Sequence, residues 1–119
     1  MERKIAIVIN YVDTPRNANV VRALGLGIEE EGLPFITQKL ERQALYDLAL
    51  MASNTSDLDV GVAVDASGNV GIHQAKLPDG MVLFEARADQ INCRSYGANA
   101  ARLIKGVPFK EYLGREENA

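Results

Sequence analysis

The chain has 119 residues and a formal net charge of −3 at pH 7; 47% of its residues are hydrophobic and 24% are charged. These proportions are typical of a soluble globular protein, and we expect one domain over residues 1–119. The acidic balance argues against a nucleic-acid partner, because phosphate backbones favour clustered Lys and Arg. The longest apolar run, Ile5–Ile9, is too short to cross a bilayer. A single cysteine and no signal-peptide pattern favour a reducing, cytoplasmic location.

The first half of the chain alternates between strand-like and helix-like segments. Thr14 before Pro15 is typical of a helix start, and Gly32 stands where a left-handed residue commonly ends a helix. Periodicity of the hydrophobic residues defines the segments between these signals. The predicted elements are a strand at Lys4–Asn10, a helix at about Asn17–Glu31, a strand at Pro34–Gln38 and a helix at Arg42–Ala52.

The second half adds three strands and a helix. The turn cluster Asp65–Asn69 is too short for a parallel crossover, so it predicts an antiparallel hairpin. The element order β-α-β-α-β-β-β-α predicts an α/β fold, a three-layer α/β/α sandwich with a mixed five-stranded sheet and one antiparallel strand. The predicted elements are strands at Leu58–Val64, Val70–Gln74 and Met81–Phe84 and a helix at Asp89–Lys105.

Catalytic patterns are scarce in this sequence. There is no Walker loop, no GxGxxG at a helix start and no nucleophile elbow. His73 is expected to be a sheet histidine, partly exposed or hydrogen-bonded, and Cys93 a small packing residue, although a helix start could lower its thiol pKa. Gly25 and Gly27 fall inside a helical pattern and predict close packing of that helix on the sheet. The pattern favours a non-catalytic chain without a cofactor of its own.

Three adjacent carboxylates, Glu29, Glu30 and Glu31, end the first predicted helix. They repel one another and oppose the helix dipole, at roughly 0.3–1 kcal/mol for each badly placed exposed charge. One interpretation is a solvated helix end. The other is that one carboxylate faces outward to a cation or to a basic partner surface, since carboxylate oxygens suit Mg²⁺.

The segment Tyr96–Gly106 has a smooth face of small residues, while Asn99, Arg102 and Lys105 emerge on another side. The simpler interpretation is a helix packed tightly on the sheet through glycine and alanine. The alternative is that Asn99 or Arg102 also contacts a partner. The pattern alone favours packing.

Four stretches of the chain, in order and at matching spacing, resemble the small subunit of diol and glycerol dehydratase-reactivating factors. Together they span about residues 4–110. No single stretch is diagnostic, so the colinear set carries the resemblance. The stretches are Gly27–Phe35, Asp59–Gly68, Ala75–Pro78 and Gly97–Phe109.

The resemblance implies a partner and a process. In this family the small subunit pairs with a large subunit that has an actin/Hsp70-like ATPase core, as an α2β2 assembly, and it is similar in fold to the β subunit of the dehydratase and to anticodon-binding domains. The factor is expected to act as a chaperone by subunit exchange, releasing damaged cobalamin from an inactivated adenosylcobalamin-dependent dehydratase. ATP hydrolysis is expected in the large subunit. Association with a bacterial microcompartment stays open.

By the same resemblance, Glu30 is expected to contact a Mg²⁺ ion held mainly by the large subunit beside ADP or ATP, with Glu29 and Glu31 as less favoured neighbours. No other residue receives a role this way. The competing hypothesis is a small-molecule-binding or enzymatic α/β domain with its ligand at the carboxyl ends of the parallel strands. A deep polar pocket there would favour that hypothesis. An RNA-binding module, suggested only by the fold analogy, is disfavoured by the acidic charge.

Overall fold

A computed structural model describes residues 5–78 and 82–114. The predicted element order is confirmed. The strands are β1 (Ile7–Val12), β2 (Phe35–Leu40), β3 (Val60–Val64), β4 (Asn69–Gln74) and β5 (Phe84–Arg87). The helices are α1 (Pro15–Glu30), α2 (Leu45–Thr55) and α3 (Cys93–Lys105), with a short 3₁₀ turn at Ala88–Gln90.

The five strands form one mixed sheet in the order β2-β1-β3-β4-β5. β1 is parallel to β2 and β3, whereas β4 is antiparallel to β3 and β5. Only β4 therefore runs against the others, as the sequence predicted. The hairpin between β3 and β4 is held by Asp65, whose Oδ1 accepts from the backbone N–H groups of Ser67 and Asn69. Gly68 has a φ of 85° there, a conformation that glycine adopts without strain.

α1 begins and ends at the predicted signals. The Thr14 hydroxyl accepts from the backbone N–H of Asn17, and Pro15 occupies the first turn, where its missing N–H is of no consequence. At the other end Gly32 has a φ of 85°, and its N–H donates to the carbonyl of Glu29.

α1 and α3 cover one face of the sheet and cross each other through two glycines. A Cβ built on Gly27 would lie 2.8 Å from the Ala98 nitrogen and closer still to the Arg94 carbonyl oxygen. A Cβ on Gly97 would likewise meet the Leu24 carbonyl. Gly27 therefore packs helix on helix, so the expectation that it packs on the sheet is wrong. Gly25 does face the sheet, against the ring of Phe35 on β2.

The core under α1 and α3 is aliphatic, with one buried tyrosine. Its fully buried members include Ile7, Ile9, Leu24, Ile28, Val60, Val62, Val64, Val70, Ile72 and Tyr96. The Tyr96 hydroxyl donates to the Phe84 carbonyl oxygen at 2.8 Å, which satisfies its one polar atom.

α2 covers the opposite face alone and forms a smaller cluster with β1 and β3. Gly61 lets it approach, since a Cβ there would lie 2.6 Å from the Ala52 carbonyl carbon. The sheet thus has helices on both faces, which confirms the three-layer α/β/α sandwich. Within the described residues, no helix combines the length and apolarity needed to cross a membrane.

Several boundaries differ from those predicted, by up to four residues. α2 begins at Leu45, its first inward-facing residue, because Arg42 and its neighbours form the exposed connection from β2. The last strand is Phe84–Arg87, with Phe84 and Ala86 facing the core. Its two charged residues weaken the strand pattern in the sequence, but charged residues are well tolerated on an edge strand. α3 begins at Cys93, where the Asn92 side chain accepts from the N–H of Ser95.

The predicted strand start at Met81 and the first strand's Lys4 lie outside the described residues, as does the tail from Arg115 onward. The implied likeness to anticodon-binding domains stays a prediction.

Candidate functional site

The end of α1 lies across α3, where it meets three cationic side chains. Arg94, Arg102 and Lys105 are spaced by eight and three residues, so they lie on one face of α3 around Ala98. This face touches α1 at Gly27. Two of the three carboxylates that oppose the dipole of α1, those of Glu30 and Glu31, are therefore compensated by cations of α3.

Glu31 is the most tightly held of the three glutamates. Its Oε1 accepts from Lys105 Nζ at 3.0 Å and its Oε2 from Arg102 Nε at 3.1 Å. Lys105 also donates to the Glu31 backbone carbonyl, and the glutamate side chain is only 12% exposed. The hydrogen bond from Lys105, with a further contribution from Arg102, lowers the pKa of the Glu31 carboxyl. Glu31 therefore fastens α1 to α3.

Glu30 is held by one cation and is accessible. Arg94 donates to it through two nitrogens, from Nε to Oε1 at 2.8 Å and from a terminal nitrogen to Oε2. The Glu30 side chain is 40% exposed and that of Arg94 49%. Glu29 is also exposed and has no ion pair among the described residues. The acidic end thus contains one structural carboxylate and two that solvent reaches.

Residues 5–78 and 82–114 contain no group of three or more His, Cys, Asp or Glu side chains arranged to hold a metal ion. A carboxylate at this end could supply one ligand to a metal held mainly by another chain, since Mg²⁺ retains waters and needs few protein oxygens. Glu30 fits this use chemically, because its carboxylate is accessible to solvent. The expected role of Glu30 stays a prediction.

Asn99 and Arg102 are engaged within the chain. Asn99 Nδ2 donates to the Lys110 carbonyl at 2.9 Å, and its Oδ1 accepts from the Lys110 N–H at 2.7 Å. Arg102 donates to the Pro108 carbonyl as well as to Glu31. These side chains hold the segment after α3 against the domain, so they act within the fold rather than as free contacts for a partner.

The carboxyl ends of β1 and β3 are where an open α/β sheet of this topology would bind a ligand, because the strand order reverses there. In this chain the place is filled. Asn17, fully buried in the first turn of α1, donates through Nδ2 to the carbonyls of Val12 (2.8 Å) and Asp65 (2.9 Å). The chain's own amide therefore bridges the two strand ends.

A depression beside it, at the ends of β1 and β2, opens widely to solvent. Asp13 and Lys39 in its lining form an exposed ion pair with a nitrogen–oxygen distance of 3.9 Å. The remaining lining residues are Val12, Leu40, Glu41 and Arg42. This is not the deep polar pocket that the competing hypothesis requires.

His73 and Cys93 are both packing residues. His73 is 1% exposed, and its Nδ1 lies 2.7 Å from Ser53 Oγ, as expected of a hydrogen-bonded sheet histidine. Its Nε2 is buried without a hydrogen-bond partner among the described residues, and burial lowers the pKa of the ring. Burial likewise raises the pKa of the Cys93 thiol to about 11, which opposes a nucleophilic role.

Similarity to known proteins identifies the family. A family model described as Dehydratase medium subunit matches residues 4–110. The propanediol dehydratase-reactivating factor small subunit of Salmonella typhimurium is 39% identical over 108 residues, covering 89% of this chain and 90% of its own. The chain belongs to the family of dehydratase-reactivating factor small subunits. The diol dehydratase-reactivating factor small subunit of Klebsiella michiganensis is 41% identical over 92 residues, 76% of this chain and 73% of its own.

Solved structures of the family share the fold. A glycerol dehydratase reactivase chain has a TM-score of 0.82 and 29% identity, with 91% of this chain and 98% of the other covered. A chain of the diol dehydratase-reactivating factor complexed with ADP and Mg²⁺ has a TM-score of 0.81 and 37% identity, with 91% and 99% covered. These matches confirm both the fold class and the resemblance read from the sequence.

Arg94 receives no role from the sequence alone. The sequence feature that could have revealed Arg94 is a row of basic residues on one face of α3: Arg94, Arg102 and Lys105. This row is complementary in charge to the acidic end of α1. The row becomes informative only once α1 and α3 are known to cross.

Proposed function

We propose that this chain is the non-catalytic small subunit of an ATP-dependent reactivating factor for an adenosylcobalamin-dependent diol or glycerol dehydratase. It associates with a large ATPase subunit as an α2β2 assembly. When the inactivated dehydratase arrives, the small subunit leaves and the large subunit engages the enzyme in its place. Damaged cobalamin is then released, and intact adenosylcobalamin binds. The factor works in the cytoplasm.

The observation that carries this proposal is the similarity to reactivating-factor small subunits over nearly the whole chain. The family model alone is named after a dehydratase subunit, whereas the relatives at 39% and 41% identity are reactivating factors. The filled crevice at the strand ends favours a reactivating-factor subunit over a ligand-binding domain. Asn17 occupies the place where a small-molecule site would be expected.

The acidic end of α1 is the part of the chain that we assign to the metal contact. Glu30 supplies one carboxylate oxygen to Mg²⁺ held with ADP or ATP by the large subunit. The bound Mg²⁺ would connect the two chains, because the Glu30 carboxylate of this chain and groups of the large subunit would bind the same ion. Glu31, held by Lys105 and Arg102, keeps the end of α1 in place for this contact.

Reconstitution of the two-subunit factor tests this function. Inactivated dehydratase is incubated with ATP, Mg²⁺, adenosylcobalamin and the large subunit, with and without this chain. We expect recovery of dehydratase activity with the factor assembled from both subunits, and no ATP hydrolysis by this chain alone. Gel filtration after incubation should show the large subunit with the dehydratase and this chain released.

ATP hydrolysis by this chain alone would contradict the proposal. So would this chain remaining on the large subunit while the dehydratase is reactivated. A third contrary result is a small molecule that binds this chain at the ends of β1 and β2 and is lost on Lys39→Met, because it would favour the competing ligand-binding hypothesis.

A further inference from the structure

The three glutamates at the end of α1 differ in what holds them. Glu31 is fixed by two cations and is largely buried. Glu29 has no ion pair among the residues that the structure describes. Glu30 alone is held by a single, accessible cation, Arg94. The carboxylate assigned to the metal contact is therefore already bound to a positive group of this chain.

The geometry of this pair makes it a competitor for a metal ion. The guanidinium of Arg94 contacts both oxygens of Glu30, which is the bidentate arrangement that arginine and carboxylate favour. A divalent cation that approaches the same oxygens meets a full positive charge in front of them. The two cations repel each other, so Arg94 must move aside before Glu30 can become a ligand.

Arg94 is able to move aside. Its side chain is about half exposed, and its only ion pair in the described part of the chain is with Glu30. Exposed ion pairs contribute little to stability and are screened by salt. The backbone of Arg94, in contrast, is fixed, because its carbonyl packs against Gly27 of α1. The side chain can therefore leave Glu30 while the crossing of the helices stays unchanged.

We propose that Arg94 is a positioning residue that occupies Glu30 in the separated chain and yields it to the divalent cation when the large subunit binds. Arg94 thereby sets the metal concentration at which the two subunits associate. This inference rests on the proposed function. It adds a residue that works against the metal contact, so that the chain stays dissociable.

The test is a Mg²⁺ titration of the association between this chain and the ADP-loaded large subunit at constant ionic strength. We expect Arg94→Met to lower the Mg²⁺ concentration for half-maximal association about twofold to fivefold, which corresponds to about 0.4–1 kcal/mol. Arg94→Lys, which keeps the charge but loses the bidentate contact, should fall between Arg94→Met and the wild type. Circular dichroism and thermal unfolding establish that each variant is folded.

Arg22→Met is the matched control, because it removes the same charge from an exposed position of α1 for which the described structure has no ion pair. It should leave the midpoint unchanged. A second control places Arg94→Met in a Glu30→Gln background, where it should have no further effect on association. Equal shifts from the Arg22 and Arg94 variants, or a persisting Arg94 effect without Glu30, would overturn the inference.

The result also separates this inference from the proposed function. If Glu30→Gln weakens metal-dependent association but Arg94→Met does not lower the midpoint, only the role of Arg94 is wrong. If Glu30→Gln keeps the full metal dependence, the metal contact itself is wrong and the role of Arg94 falls with it. Loss of association in every chain, including the wild type, would contradict the proposed partnership.

Discussion

Two helices cover one face of the sheet and a single helix covers the other, and the two layers are built differently. Under α1 and α3 the helices touch backbone to backbone at Gly27 and Gly97, and the buried amides of Asn17 and Asn99 bond to backbone groups. Under α2 the buried polar groups include a titratable one. Asn10 donates to the Leu48 carbonyl, and His73 is paired with Ser53.

The difference bears on the contact with another chain that we propose. α1 and α3 are fixed to each other by close backbone packing and, at the rim, by the ion pairs of Glu31. Glu30 therefore projects from a rigid pair of helices. Among the described residues α2 has no neighbouring helix on its face, and the buried His73 beneath it should make the stability of that layer depend on pH.

Glycine-to-alanine substitutions should give the largest difference between the two layers in the free energy of unfolding. An exposed helical glycine gains about 1 kcal/mol on replacement by alanine. At Gly27 or Gly97 we expect the opposite, a loss of about 3 kcal/mol, because the new methyl group meets the backbone of the other helix. At Gly61 we expect a smaller loss of about 1–2 kcal/mol, since α2 has no flanking helix and can shift.

Urea unfolding followed by circular dichroism measures these losses. Asn19→Ala, at an exposed position of α1, is the control and should change the free energy of unfolding by only a few tenths of a kcal/mol. A larger loss at Gly61 than at Gly27 and Gly97 would reverse the comparison.

The α2 layer should show a pH dependence that comes from His73. Because burial lowers the pKa of His73 in the folded chain, the unfolded chain binds more protons near pH 6. The contribution of His73 is thus fully present above its unfolded pKa of about 6.5, and stability falls as the pH drops through the folded pKa, by at most about 1.4 kcal/mol per pH unit.

His73 is the chain's sole histidine, so the comparison with His73→Gln is direct. Unfolding free energies measured from pH 8 to pH 5 should decline less steeply in the variant. Parallel curves for the two proteins would contradict the assignment.

A smaller change in stability is expected for Glu31, at the edge of the layer formed by α1 and α3. Glu31→Gln should cost about 1 kcal/mol at pH 7, because it removes the charge held by Lys105 and Arg102. The Glu31 pKa is lowered on folding, so its stabilisation is present above the unfolded value and is lost as pH falls through the folded pKa. The difference from the wild type should therefore shrink in acid. A difference that is constant from pH 7 to pH 3 would count against the ion pairs.

The sequence predicts local features of this fold well and long-range ones poorly. The start of α1 at Thr14 and Pro15, its end at Gly32 and the hairpin at Asp65 follow from neighbouring residues, because caps and turns are local. The pairing of Glu30 with Arg94 joins residues 64 positions apart. Helical spacing reveals a basic stripe on α3 but not which helix crosses it.

The same limit applies to the candidate site. Three glutamates at a helix end are chemically equivalent in the sequence, and the resemblance to a family selected Glu30 among them. The structure separates them by partner: Glu31 is fixed, Glu30 is singly paired and Glu29 is exposed. The sequence also does not reveal that Asn17 fills the crevice between β1 and β3. Its position depends on how the start of α1 packs against the ends of these strands.

We propose that this chain joins a large ATPase subunit through a metal contact at the end of α1. The most direct test is the dissociation constant of the two subunits with ADP, measured by calorimetry with Mg²⁺ and after its removal with EDTA, for the wild type and Glu30→Gln. We predict that removing Mg²⁺ weakens binding of the wild type and leaves binding of Glu30→Gln nearly unchanged. Equal sensitivity of both proteins to Mg²⁺, or no binding by either, would contradict the account.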